Sequence, residues 1–343
     1  MSAGSNGLLA ARDVRAYYAT GAGAEVRAVD GVSLTLHEGE VLGIAGESGS
    51  GKSTLASVFA LTAQPPLYVA GGSLTLAGNQ VDLAGIGRLP RSWRGKLVSL
   101  LPQGAMNSLN PTARVRDVAA DVIRAHEPAI SRQEAAERAT ERLEQLSLPT
   151  RVLSSYPHQL SGGMRQRVVA VISTLLNPSV LIADEPTSAL DVSAQRSLVL
   201  LLHTLLERGF IKGIVFITHD LPLLGTVADR IAIMYAGQLA EVGPAGELLG
   251  NGRHPYTRAL VDTVLTPDPA LRGRRVEGIP GAPPDLRHPP SGCRFHPRCP
   301  LAMPVCSRED PPAVGTSERF AACWWVYEHQ SEAGVASGTA GQR

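Results

Sequence analysis

The residues with the most evident chemistry are Gly46-Glu47-Ser48-Gly49-Ser50-Gly51-Lys52-Ser53, set between the apolar run Val41-Leu42-Gly43-Ile44-Ala45 and the helix-compatible Thr54-Leu55-Ala56-Ser57-Val58. The glycines let successive backbone N–H groups turn inward around an anion, and a helix starting just after them adds partial positive charge. Lys52 then reaches the outer phosphates of a nucleotide, and Ser53 offers a hydroxyl to Mg²⁺. A flexible Gly/Ser linker would need neither the strand before, nor the helix after, nor the Lys-Ser pair at this offset.

Two further sets belong to the same chemistry. The run Val180-Leu181-Ile182-Ala183 leads into Asp184-Glu185, and Ile214-Val215-Phe216-Ile217-Thr218 leads into His219. A carboxylate at a strand tip can hold Mg²⁺, and Glu185 next to it can orient and deprotonate an attacking water. His219 can supply a donor to a terminal phosphate. Alone, such an acid pair is ambiguous and such a histidine is more often structural. With a phosphate loop upstream they supply the metal, placed nucleophile and donors that phosphoryl transfer requires. Leu160-Ser161-Gly162-Gly163-Met164-Arg165-Gln166 opens a helix and is a second place able to hold an anion, although Ser-Gly turns also simply cap helices.

The elements positioning these residues are legible in outline. Ala16-Tyr17-Tyr18 and the alternating Val32-Ser33-Leu34-Thr35-Leu36 read as short strands, with turns at Gly21, Gly23, Gly31 and Gly39, forming an antiparallel layer ahead of the loop. Lys96 to Leu101 reads as a strand ending at Pro102-Gln103. Val115, Val118 and Val122 share a helix face, and Ser131 with Glu134 forms a capping box for a helix burying Ala136, Ala139, Leu143 and Leu146. The opposite face, with Arg132, Glu134, Glu137, Arg138 and Glu141, reads as solvated. Residues 231 to 242 read as a hairpin turning at Gly237, and 69 to 96 are uninformative, with Arg88, Arg91, Arg94 and Lys96 in water. Strands alternating with helices predict a mostly parallel sheet with ligands at the carboxyl ends, where Asp184, Glu185 and His219 fall.

Composition bounds the function. At 343 residues and 44% hydrophobic content the chain can bury one large core and a smaller appendage. A net charge of +1 shows no broad basic surface for nucleic acid or anionic lipid. Met1 to Asn6 lacks the features of a secretory signal, and the longest apolar stretch, around Val168 to Ala183, is interrupted by Ser, Thr, Asn and Pro. The expectation is a cytosolic chain, with any membrane crossed by other chains. Beyond Gly250 proline becomes dense and all four cysteines appear: Cys293, Cys299, Cys306 and Cys323. In a reducing cytosol disulfides are disfavoured, so four clustered thiols point to Zn²⁺, to a [4Fe–4S] cluster, or to unliganded thiols. The spacing lacks the CxxC pairs common in zinc ribbons. A ligated centre would cross-link a segment too poor in apolar residues to hold itself. Residues 331 to 343 are small and polar, which predicts disorder.

The phosphate loop, Gln103, Leu160 to Gln166, Asp184-Glu185, Ser188-Ala189-Leu190-Asp191 and His219 occur in an order that resembles the ATP-binding subunit of an ABC transporter, over roughly residues 8 to 250. The resemblance implies an α/β P-loop ABC-type nucleotide-binding domain over 1–250, with a RecA-like core, an antiparallel β subdomain and a helical subdomain over about 104–165. It implies that Tyr18, or its neighbour Tyr17, stacks on adenine. Gly46, Ser48, Gly49, Ser50, Gly51, Lys52, Ser53 and Thr54 would cradle the phosphates of ATP, and Ser53, Gln103 and Asp184 would hold Mg²⁺. Ser161, Gly162, Gly163 and Gln166 match the signature segment, which contacts the γ-phosphate bound by the opposite subunit, and Asp191 matches the loop at that interface. Glu185 is the implied general base, assisted by Lys52, Gln103 and the switch residue His219. One phosphate loop and one signature imply two cassettes meeting head to tail, the second being a sister subunit or an identical copy.

The tail narrows the resemblance. His254-Pro255-Tyr256-Thr257-Arg258-Ala259-Leu260, Ile279 to Pro284, Gly292 to Pro300 and Ser108-Leu109-Asn110-Pro111 are similar to oligopeptide and dipeptide importer ATPases. Residues 251–330 then form that family's C-terminal domain, in which the four cysteines would carry a [4Fe–4S] cluster, with Zn²⁺ as the alternative. The implied partners are two transmembrane permease subunits, the sister ATPase and, indirectly, an external substrate-binding protein, with the chain peripheral to the cytoplasmic face of the cell membrane. Nickel, glutathione or a sugar are alternative cargoes, because the ATPase does not touch cargo. A soluble ABC ATPase of translation or DNA repair is the competing class, but it usually carries two cassettes or long coiled-coil insertions. Gly104-Ala105 departs from the family's usual Asp-Pro after the glutamine, which bears on membrane coupling.

Overall fold

A strand with no polar face must be covered on both sides, and β3 (Val41–Ala45), β7 (Val180–Asp184) and β8 (Gly213–Ile217) are buried at every residue. In the computed structural model, which describes residues 7–21, 23–105, 108–188, 190–263 and 278–329, they form the centre of the main sheet. β6 (Val98–Leu101) and β9 (Arg230–Tyr235) extend it, giving the parallel order β9-β3-β8-β7-β6. At the other edge, β10 (Gln238–Pro244), β12 (Arg319–Ala322) and β11 (Ala313–Thr316) add antiparallel strands in that order. A second, antiparallel sheet has the order β2-β1-β4-β5, from β1 (Leu9–Ala19), β2 (Glu25–Leu36), β4 (Leu67–Leu76) and β5 (Asn79–Val81).

The strand period of two divides the core into two layers. Leu42, Ile44, Ile182 and Val215 face the antiparallel sheet and α1 (Lys52–Phe59). Val41, Ala45, Leu181 and Phe216 face α5 (Gly162–Ser173), α6 (Val192–Glu207) and α7 (Leu221–Val227). The same layer takes in α3 (Val115–His126) and α4 (Arg132–Gln145). α2 (Trp93–Lys96) is a broken turn, and α8 (Ala245–Asn251), α9 (Pro255–Asp262) and α10 (Trp324–Glu328) belong to the C-terminal part. Among the described residues no helix is long and apolar enough to cross a membrane.

Several local readings change. Gly31 lies inside β2 rather than at a turn: Arg15 pairs with Asp30 and Val14 with Val32, so Gly31, at φ +85°, is an unpaired bulge residue. The uninformative stretch contains the β4–β5 hairpin, turning at Ala77-Gly78 with positive φ at both. The buried face of α3 is Val115, Ala119, Ala120 and Ile123, one residue round from the expected stripe. Ser131 caps α4 as expected, accepting from the Glu134 N–H at 3.1 Å. The hairpin turning at Gly237 is present. The C-terminal segment is not a purely irregular appendage: β11 and β12 continue the main sheet, and Tyr256 and Phe295 lie in its core. The tail expected to be disordered, and Ala189, lie outside the described residues.

Candidate active site

The phosphate loop bridges the end of β3 and the start of α1. Gly46 (φ +150°) and Gly51 (φ +101°) have no room for a side chain, because a Cβ there would lie 2.1 Å from the Met234 carbonyl oxygen and 1.9 Å from that of Ala28. Gly51 caps α1 without a side-chain bond, so the N–H groups of the first turn remain available to an anion. Lys52 Nζ donates to the carbonyls of Gly46 (2.7 Å) and Glu47 (2.8 Å) and to Ser50 Oγ (3.3 Å). Burial lowers the Lys52 pKa from its ordinary value, while Glu185, Asp184 and Glu47 oppose that shift.

Asp184 ends β7 and is 7% exposed, with the Ser53 hydroxyl donating to its Oδ1 at 3.3 Å. Burial raises the Asp184 pKa, partly offset by the Ser53 hydrogen bond. Two adjacent hard oxygen donors suit Mg²⁺, whose charge would favour the ionised carboxylate. Glu185 sits at φ +47°, a conformation a non-glycine residue keeps only when its surroundings enforce it. Here its N–H donates to the Ile217 carbonyl (2.9 Å), while both carboxylate oxygens lie 3.0 and 3.1 Å from His219 Nδ1. Asp184 pairs with Ile217 and Leu101 with Ala183, so the segments after β6, β7 and β8 bring Gln103, Glu185 and His219 to the carboxyl end of the sheet. Gln103 is exposed there. Of the two tyrosines, Tyr18 borders α1, with Oη 3.1 Å from Thr54 Oγ1, whereas Tyr17 donates to Asp30 (2.6 Å) and packs edge-on against Tyr68.

The signature residues lie elsewhere. Ser161 caps α5, accepting the Met164 N–H at 3.3 Å, and both Ser161 and Gly162 are exposed. A Cβ at Gly163 would meet the Ala194 Cβ at 2.7 Å, so glycine lets α5 approach α6. Gln166 is placed differently: it is 3% exposed and its amide donates to the Pro186 carbonyl (2.7 Å), tying α5 to the segment after Glu185 instead of opening to a ligand. Asp191 caps α6 through the Ala194 N–H (2.8 Å) and is exposed beside Val192, itself 82% exposed. The hydrogen bonds of Ser161 and Asp191 stay within their own helix starts, and neither reaches this chain's phosphate loop.

The four cysteines are free thiols, two half-buried and two buried. Burial pushes Cys293 up to about 12 and Cys299 up to about 11, and the charges of neighbouring cysteines push the same way, so the four share one neighbourhood. Among the described residues, however, no group of three or more His, Cys, Asp or Glu is arranged to hold a metal ion. The expected four-thiolate centre is therefore not a formed ligand cage here.

Residues 29–188 match the ABC transporter family, and residues 240–306 match the oligopeptide/dipeptide transporter C-terminal region. The dipeptide transport ATP-binding protein DppD of Caldanaerobacter subterraneus subsp. tengcongensis is 41% identical over 305 residues, which cover 89% of this chain and 92% of that protein. The oligopeptide transport ATP-binding protein OppD of Bacillus subtilis is 40% identical over 308 residues, covering 89% and 85%. The chain belongs to the ATP-binding proteins of ABC transporters. A solved dimer of a bacterial ABC transporter cassette agrees, with a TM-score of 0.58 and 27% identity over 69% of this chain and 98% of that one. A second structure of that cassette, in a post-hydrolysis state bound to ADP and Pi, fits equally well.

This ABC ATPase also has site residues that the sequence reading passed over. Glu47 puts a carboxylate into a loop built for anions, which calls for a nearby cation, and Arg298 supplies it at 2.7 and 3.0 Å. The Tyr256 hydroxyl accepts the Glu47 N–H at 2.9 Å. Both partners fall inside tail segments whose sequence carries only a family likeness, so the signal is the unpaired acid in the loop rather than the tail.

Proposed function

We propose that this ABC ATPase binds and hydrolyses Mg-ATP to energise an importer of dipeptides or oligopeptides, at the cytoplasmic face of the membrane and through two permease subunits. A sister ATP-binding subunit would complete the pair, with a second copy of this chain as the alternative, and an external binding protein would deliver cargo. The observation that carries the reading is Glu185, held by His219 at 3.0 Å beside Asp184 and the phosphate loop, while Ser161 faces solvent on a separate helix. One chain thus offers a hydrolytic half and an exposed signature half, and head-to-tail pairing supplies each with its complement.

In this reading Ser53 and Asp184, with Gln103 alongside, would hold Mg²⁺, and the ion would supply charge neutralisation to the phosphates. Lys52 releases the loop carbonyls to reach the β- and γ-phosphates. Glu185 accepts a proton from the attacking water, with His219 fixing the carboxylate's direction. Tyr18 stacks on the adenine. Glu185→Gln, reconstituted with the permease chains, should retain ATP, lose turnover and accumulate as ATP-bound pairs; normal hydrolysis by this variant refutes the general-base role. The peptide cargo rests on the C-terminal region at 240–306 and on the dipeptide and oligopeptide transport proteins it is similar to.

The cysteines we read as ligands of a [4Fe–4S] cluster, with Zn²⁺ as the alternative. Support comes from four soft donors gathered by the chain into one neighbourhood, two of them buried and two half-buried, where a bound metal would keep them ionised. Protein purified without oxygen should contain iron and acid-labile sulfide; one equivalent of zinc and neither of those removes the cluster.

A further inference from the structure

The phosphate loop is held from outside at its start by the C-terminal extension, and at its far end by the β9–β10 turn that the extension braces. At its start, Arg298 donates two bonds to the Glu47 carboxylate (2.7 and 3.0 Å), and Tyr256 Oη accepts the Glu47 N–H (2.9 Å). Arg298 is 8% exposed, and its remaining donors reach the carbonyls of Pro280 (2.7 Å) and Ile279 (3.3 Å) and the hydroxyl of Tyr235 (3.2 Å). Tyr256 is fully buried, with its ring 4.5 Å from that of Tyr235 and 5.3 Å from that of Phe295. Toward the far end of the loop, Arg294 bonds the Ala236 carbonyl and Asp30, and the adjoining Gly237 N–H donates to the Ser50 carbonyl (2.9 Å). A planar guanidinium matched to a carboxylate and an aromatic platform are stiff supports, whereas the loop between them is rich in glycine.

The geometry points to Arg298 and Tyr256 as positioning residues for nucleotide binding. By fixing the Glu47 peptide they hold the loop's N–H groups in the shape of a phosphate cradle, and the extension sets the affinity for Mg-ATP. Lys52 makes the connection direct, because its ammonium rests on the Gly46 and Glu47 carbonyls that these two residues aim. The inference builds on the ATP-binding reading of the loop and adds that half of its shape is imposed by residues about 210 to 250 positions downstream.

The test is Mg-ATP affinity by equilibrium titration on the full chain, paired with a thermal melt, and ATPase kinetics in the reconstituted transporter. Arg298→Ala should raise the Kd and the KM for ATP about tenfold, the scale of coupling between contacting residues, with kcat within twofold. Arg298→Lys, which cannot form the double bond, should recover only part of the loss. Arg298→Ala combined with Glu47→Gln should bind no more weakly than Arg298→Ala alone, because the two act as one pair. An unchanged Kd in a cooperatively melting Arg298→Ala variant, or losses that simply add, overturns the inference. Should Arg298→Ala fail to fold, Glu47→Gln and Tyr256→Phe decide: each changes one polar group, and unchanged affinity in both is a refutation. Wild-type protein that binds no Mg-ATP would instead sink the ATPase reading itself.

Discussion

His219→Ala separates chemistry from folding. The His219 side chain is 69% exposed, and its bonds to Glu185 are the contacts that tie it to the site. A pair with one partner this exposed contributes about 1 kcal/mol or less to stability, so the melting temperature should stay close to wild type. Glu185 is a different matter: its side chain is 16% exposed on a backbone already held at φ +47°, and His219 is what aims it. Letting the base swing out of line with the attacking water costs about 10² in turnover, or roughly 3 kcal/mol of barrier. The assay is steady-state ATPase of the reconstituted transporter beside Mg-ATP titration of the isolated subunit. The expected result is about a hundredfold loss of kcat with affinity within threefold. Turnover within threefold of wild type, or affinity falling in step with kcat, would refute the reasoning.

The glycines of the loop offer a steric contrast: Gly51→Ala puts a Cβ 1.9 Å from a carbonyl oxygen, whereas at Gly49, also at positive φ, nothing lies within 4 Å. Gly51→Ala should cost about 2–4 kcal/mol and abolish nucleotide binding, and Gly49→Ala distinctly less; equal melts and affinities would contradict the packing argument. His254 predicts an acid dependence, since burial lowers its pKa from 6.5 to about 4. The unfolded chain takes up a proton near pH 6.5 that the folded chain refuses until about pH 4, so stability is full above that window and falls as pH drops through it, by about 3 kcal/mol for this group. His254→Asn keeps an acceptor for the Tyr256 N–H, which His254 Nδ1 now accepts at 3.0 Å, and removes the titration. Denaturant melts from pH 7 to 4.5 should show a shallower decline for the variant, and parallel curves would count against a buried neutral imidazole.

The phosphate loop, Asp184-Glu185 and His219 were legible because each is a local pattern: an apolar strand followed at once by the residue that does chemistry. The main parallel sheet followed from alternation of strands and helices. The β4–β5 hairpin was passed over because Gly71 and Gly72 interrupt β4 and β5 is only three residues long, although Ser73-Leu74-Thr75-Leu76 alternates as Ser33-Leu34-Thr35-Leu36 does. The face of α3 was misread because its core contacts use Ala119 and Ala120, which carry a weaker apolar signal than Val118 and Val122.

What the sequence determined by itself was the set of reacting groups and their order, since strand-end chemistry is encoded within a few residues of each strand. What only the tertiary structure decided was which neighbours act on them. Tyr18 rather than Tyr17 borders α1 through Thr54, Gln166 turns inward to Pro186, and the extension joins the main sheet to grip Glu47 through Arg298. Those outcomes depend on sheet register and on contacts across more than 200 residues of chain, and no local pattern records which distant side chain will satisfy a buried charge.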